Sequence, residues 1–173
     1  LTVDWRGEAL VADLGRPIFT AATRGANRDR YRHLALSSLG HSVPLPNGHP
    51  QAAGRQYASQ LLAHAHGAEA DRLELDLKGV YPAEADLEVL VRRVVLHRMG
   101  PHGWVELEDR AQYATSPGNL STVLMTYGEV SVGPGQVRID GQQGALVVRF
   151  DQGQVNAHCE TIPQVELWSG AAD

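Results

Sequence analysis

Apolar and polar residues alternate with a period of two along much of the chain. Leu73-Glu74-Leu75-Asp76-Leu77 and Trp104-Val105-Glu106-Leu107-Glu108 alternate cleanly, and 89–96 is a longer apolar run interrupted by Arg92 and Arg93. The runs at 122–126, 136–139, 145–150, 154–159 and 165–168 continue the series, and Glu8-Ala9-Leu10-Val11-Ala12 stands near its start. Successive strand side chains point to opposite faces, so the pattern predicts strands with one covered and one wet face. Turn-forming clusters separate the runs: Pro101-His102-Gly103, Ser116-Pro117-Gly118-Asn119, Gly133-Pro134-Gly135, Asp140-Gly141 and Asp151-Gln152-Gly153. About a dozen short strands joined by tight turns predict an all-β fold with little helix. The architecture that suits them is an antiparallel β-sandwich, here a single domain over residues 1–173.

Two segments are less regular. The stretch 52–65 holds helix formers, but Tyr57 and Leu61 supply only a weak helical face and strand signals flank it, so a strand is predicted. The stretch 14–40 carries Arg16, Arg24, Arg28, Arg30 and Arg32 with Gly15 and Gly25, and it reads as a long loop. Long loops in compact domains are usually functional or mobile.

Composition adds three restrictions. With 43% hydrophobic and 20% charged residues the chain has ordinary globular usage, and 173 residues suffice for a real core. A net charge of −5 argues against a nucleic-acid partner, and it means that any site for an acidic glycan must concentrate arginines locally. Lone Cys159 excludes an intramolecular disulfide and a cysteine-based zinc site. No stretch is apolar enough to cross a bilayer as a helix, so no membrane partner is predicted. The opening Leu1-Thr2-Val3-Asp4-Trp5 lacks Met and is already strand-like, which reads as part of a longer protein.

Candidate chemistry centres on histidines, one aspartate and the arginine-rich loop. His64 and His66 are two apart and share one face of a strand, a spacing that suits a metal or a solvated surface alike. Asp13 ends the run 8–12 and precedes Leu14-Gly15; the ordinary reading is a turn aspartate before glycine. Arginines in the 14–40 loop can clamp carboxylates or sulfates bidentately, or form a solvated loop, or meet another domain.

The order of short motifs resembles heparinase II/III-type polysaccharide lyases. Arg6-Gly7-Glu8-Ala9-Leu10-Val11-Ala12-Asp13-Leu14-Gly15 is similar to the family's Gly-Glu-x-Leu-x-x-Asp-x-Gly stretch. Gly40-His41-Ser42-Val43-Pro44 and Asn47-Gly48-His49-Pro50-Gln51 resemble its His-Asn-Thr and Asp-Gly-x-x-Gln segments, with Ser42, Pro44 and Asn47 departing from the pattern. Asp76 with Val80-Tyr81-Pro82 resembles Asp-x-x-x-x-Tyr-Pro, and 91–96 with 104–110 resembles the paired strands ending in Asp-Arg. The likeness covers about residues 6 to 110; beyond it only strand-rich character remains.

The resemblance implies the C-terminal β-sandwich of such a lyase, following an α/α toroid in a periplasmic or secreted parent. It implies a zinc ion held in the parent by His, Asp and His. Asp13 matches the Asp and His41 the second His, while the first belongs to an upstream His-x-His motif. With two ligands only, zinc in this chain alone is expected to be weak or absent. It also implies an acidic polysaccharide as partner, bound together with the toroid, which carries most of the catalytic groups. Arg28, Arg30 and Arg32 are the substrate contacts this reading selects, and the chain alone is expected to be inactive. The alternative is a non-catalytic glycan-binding or structural sandwich module; aromatics at 6%, with Trp5, Trp104 and Trp168 scattered, are explained by core positions.

Overall fold

The computed structural model describes residues 1–15, 17, 30–31, 33–115 and 117–162. Among them the fold is all-β: β1 Val3–Trp5, β2 Glu8–Val11, β3 Pro44–Pro46, β4 Gln60–His66, β5 Ala70–Asp76, β6 Leu87–His97, β7 Trp104–Tyr113, β8 Leu120–Thr122, β9 Glu129–Gly133, β10 Gln136–Asp140 and β11 Ala145–Arg149. Every strand pairing among the described residues is antiparallel. Named helical elements among them are three-residue 3-10 turns. The chain divides into two compact units, Leu1–Val43 with Val123–Asp173, and Pro44–Thr122.

In the first unit, β1 and β2 form a hairpin and β9, β10 and β11 a meander. Pro134-Gly135 makes the two-residue link from β9 to β10, with proline fixing its own φ and Gly135 at φ 66, beyond the reach of most side chains. The Glu8 carboxylate accepts the backbone N–H groups of Gln142 and Gln143 at 2.8 and 2.6 Å. It thereby ties the β2 hairpin to the β10–β11 loop by two charge-assisted bonds. Leu10, Val11 and Ala12 are buried behind it.

In the second unit, β4, β5, β6 and β7 form one sheet in that order, and β3 pairs with β8. Register assigns its two faces. Leu90, Arg92, Val94 and Leu96 lie opposite Ala111, Asp109, Leu107 and Val105 on one face. Val91, Arg93, Val95 and His97 lie opposite Arg110, Glu108, Glu106 and Trp104 on the other. Leu77, Tyr81, Ala85 and Leu90 form a core cluster, with Leu75, Val80, Leu87, Ala111 and Leu120 packed against it. Leu90 is fully buried, worth about 1.5–3 kcal/mol over an exposed leucine. Beside the cluster, Asn47 and Gly48 adopt left-handed φ values of 48° and 74°, and His49 N–H donates to the Pro46 carbonyl at 2.9 Å. Two successive positive φ angles define a type I′ turn, the conformation an Asn-Gly pair favours.

Several expectations change. The segment 52–65 becomes strand only from Gln60; before it, the chain is irregular and Ala52 N–H donates to the Val80 carbonyl instead of to a ladder. The segment 154–159 is not a strand, because Asp151 closes a turn on itself and accepts the N–H groups of Gly153, Gln154 and Val155. The run 122–126 is strand only to Thr122, since its partner β3 is three residues long and bounded by prolines that lack an amide donor. The expected strand at 165–168 lies outside the described residues.

Candidate functional site

Asp13 and His41, 28 positions apart, meet in the first unit: His41 Nδ1 lies 2.7 Å from Asp13 Oδ2. Asp13 follows β2, whose exit is pinned where Ala12 N–H donates to the Met125 carbonyl at 2.8 Å. The other carboxylate oxygen, Oδ1, accepts the Gly15 N–H at 2.8 Å, the turn expected of an aspartate before glycine. His41 follows the 3-10 turn Ser38–Gly40 and precedes Ser42, which is buried and accepts the Met125 N–H on its hydroxyl at 3.4 Å. Gly40 is required by close approach: a Cβ there would stand 2.9 Å from the Leu34 carbonyl carbon and 3.0 Å from Leu14 Cδ1. Without a side chain at 40, the loop closes tightly enough to bring His41 to the end of β2.

Both side chains of the pair are partly solvated, with 32% of His41 and 45% of Asp13 exposed. Partial burial pushes the Asp13 carboxyl upward, but the His41 hydrogen bond, the Gly15 amide and the His41 charge outweigh it, and the pKa lies below the ordinary aspartate value. Asp13 therefore stays ionised and fixes the imidazole through Nδ1. Among the described residues no hydrogen bond reaches Nε2, which is the atom left to act on a proton or a metal.

A zinc ion needs three or four donors, and this pair supplies two. Among the described residues no three His, Cys, Asp or Glu side chains group together. The donor types fit zinc but the set does not complete a site, so no chemical step is assigned to a metal here. His64 and His66 do share β4, but His66 Nδ1 is engaged by Asp71 Oδ1 at 2.5 Å. Asp71 is also bound by Arg98, and these partners, Arg98 foremost, hold its pKa at about 2 against partial desolvation.

Of the three arginines expected to contact substrate, Arg28 and Arg32 lie outside the described residues. The Arg30 guanidinium sits 5.4 Å from the Tyr31 ring centroid, within cation–π range.

The second unit contains a polar network that the chemistry-bearing residue types alone do not announce. Arg92 donates from Nε and Nη2 to Asp109 at 2.7 Å each, and their side chains are only 7% and 9% exposed. Thr122 hydroxyl also donates to Asp109, at 2.7 Å. Tyr81 hydroxyl donates to the Pro44 carbonyl at 2.5 Å, and the Gln51 side chain hydrogen-bonds to Tyr81. Burial pushes the Tyr81 phenol up to about 12, moderated by Gln51 and Arg92 and reinforced by Asp109. Asn47 bridges two more segments, donating to the Ala85 carbonyl at 3.1 Å and accepting the Asn119 N–H at 2.9 Å. The signal for this network is the phase of Arg92: it occupies the same face as Leu90, so an inward-pointing arginine demands an inward-pointing acid on the neighbouring strand.

No family model matches the chain, and no curated protein matches it.

Proposed function

We propose that the chain is the β-sandwich portion of a heparinase II/III-type polysaccharide lyase, lining the cleft in which a uronic-acid-containing glycan undergoes β-elimination. The observation that carries this reading is the Asp13–His41 contact at 2.7 Å. Two short stretches that resemble the family separately, 6–15 and 40–44, contribute one residue each to a single hydrogen-bonded carboxylate–imidazole pair. Further support comes from the second unit, where Gln51 hydrogen-bonds to Tyr81 and the Asp109 charge acts on the same phenol, each of the three residues coming from another stretch of the resemblance. With no match among known families or curated proteins, the reading rests on these residues.

In β-elimination a base removes the C5 proton of a uronate while its carboxylate is neutralised, and the C4–O bond then breaks as the leaving oxygen gains a proton. A helical toroid would supply most of these groups. This chain would contribute His41, oriented by ionised Asp13, at the rim of the cleft, with Arg28, Arg30 and Arg32 toward the uronate carboxylates. Zinc, where a further ligand from the toroid completes the set, would supply positive charge that holds the imidazole in place.

The second reading, a non-catalytic glycan-binding module, is favoured by one observation: the Trp104 indole is 54% exposed on a sheet face and does not fill the core. The deciding experiment offers heparan sulfate, alginate and other uronate polymers to the longer protein and follows the absorbance of unsaturated uronate products. Turnover by the longer protein, with silence from this chain alone, is the expected result. Failure of the longer protein on every uronate polymer, or turnover by the chain alone, contradicts the reading.

A further inference from the structure

The outer face of the β5–β6–β7 sheet carries groups that neither the core nor the Asp13–His41 site uses. Trp104 stands at one end, and His97 stacks on it with ring centroids 3.7 Å apart and planes 7° from parallel. One side of the indole is thus occupied, which holds the ring still, while 54% of the residue remains exposed. Along the same face run Glu106, Glu108 and Arg110 of β7, Val91 and Arg93 of β6, and Arg72 and Glu74 of β5. Arg72, Glu74, Val91, Arg93, Glu108 and Arg110 line a shallow recess of about 190 Å³. That volume is below the range of pockets that engulf a ligand, so an occupant lies across the surface. From Trp104 to Arg110 is six residues of strand, about 20 Å, long enough for several sugar rings.

The charges on this face cancel. Arg72 pairs with Glu74, and Arg93 pairs with Glu106 and, at 2.8 Å, with Glu108. Arg72, Arg93 and Arg110 are thereby matched by Glu74, Glu106 and Glu108, which leaves no surplus positive potential to draw in a polyanion. What the face offers instead is a fixed flat apolar ring beside alternating planar donors and acceptors. Carboxylates accept and guanidinium groups donate, as sugar hydroxyls require, and the C–H face of a pyranose matches the indole. We infer that this face binds a short run of neutral sugar residues, with Trp104 as stacking platform and the Arg–Glu lattice as hydroxyl contacts. The inference does not depend on the lyase reading, because it rests on residues of the second unit and not on Asp13 or His41.

The test uses the full chain and tetrasaccharides: neutral β-linked glucose, xylose and mannose oligomers, with a uronate tetramer as the charged arm. Amide chemical shifts of β5, β6 and β7 and calorimetric titration are read together. A neutral oligomer is expected to shift amides on these strands and to bind with little dependence on salt. Trp104→Ala is expected to weaken that binding at least tenfold, Trp104→Phe less, and Arg110→Ala severalfold, each with an unchanged circular dichroism spectrum. No response to any neutral oligomer overturns the inference. So does binding of the uronate tetramer alone, or binding that Trp104→Ala and Arg110→Ala both leave intact.

Discussion

Removing Asp109 takes away the carboxylate that faces a buried cation. Arg92 is 6% exposed and donates from Nε and Nη2 to the two oxygens of the Asp109 carboxylate. Taking a buried ion's partner away costs about 3–5 kcal/mol, because the remaining charge stays desolvated without its counter-ion. The Thr122 hydroxyl loses its acceptor as well, adding a contribution on the order of 1 kcal/mol. Asp109→Ala is therefore expected to cost about 4 kcal/mol, a large share of the 5–15 kcal/mol typical of whole domains. Replacing both members, Arg92→Met with Asp109→Leu, removes the buried charge itself and fills the volume, so the double variant should recover most of that loss. Urea unfolding followed by circular dichroism measures both. Amide exchange on β6 and β7 assigns the effect to the four-stranded sheet. A second readout is independent of stability: the Asp109 charge raises the Tyr81 pKa and Arg92 lowers it, so in Asp109→Ala the phenol should ionise below about 12. A loss under about 1 kcal/mol for Asp109→Ala, or a double variant as unstable as the single, would refute the reasoning.

Other perturbations test separate parts of the structure. Tyr81 ionises near pH 12 in the folded chain and near 10 when unfolded, so between these values the unfolded state has given up its proton and the folded state has not; stability should fall by about 2–3 kcal/mol over that window. In Tyr81→Phe that alkaline loss should disappear from urea titrations, at a cost of about 1 kcal/mol at neutral pH. Asp13 is the opposite case: its pKa is depressed by His41, so its contribution holds above the ordinary aspartate value and is lost as pH falls through the lowered one. His41→Ala should raise the Asp13 pKa in a carboxyl-carbon NMR titration. Asn47→Ala should cost more than Asn47→Gly in thermal unfolding: both lose the bonds to Ala85 and Asn119, but only alanine also strains at φ 48.

Where the pattern of apolar residues was long and clean, the strands follow it. β5, β6 and β7 have seven, eleven and ten residues, and their alternation identifies both faces. Short strands were harder to read. Pro44-Leu45-Pro46 has no alternation and becomes a strand only because Leu120–Thr122 pairs with it, and Glu129–Gly133 shows its role mainly through the Pro134-Gly135 turn that follows. The run at 154–159 alternates no worse than many strands, but Asp151 captures its first amides into a turn. Local pattern does not reveal whether a partner strand exists, and that absence of a partner decides such cases. At the site, resemblance singled out Asp13 and His41, and the structure brings them together. The Arg92–Asp109 network was legible in principle from one arginine in phase with Leu90, but its extent to Thr122, Tyr81 and Gln51 depends on contacts across up to 30 positions that spacing does not encode. Trp104 was read as a core residue, and the structure leaves it more than half exposed.

The most direct test of the proposed function is kinetic and uses His41 and Asp13 in the longer protein that the proposal implies. The kcat/KM for its best uronate polymer should fall on the order of a hundredfold in His41→Ala. In Asp13→Asn, where the imidazole remains but loses the carboxylate that orients it, the loss should be on the order of tenfold. Unaltered kcat/KM in both variants would contradict the assignment of this pair to the cleft.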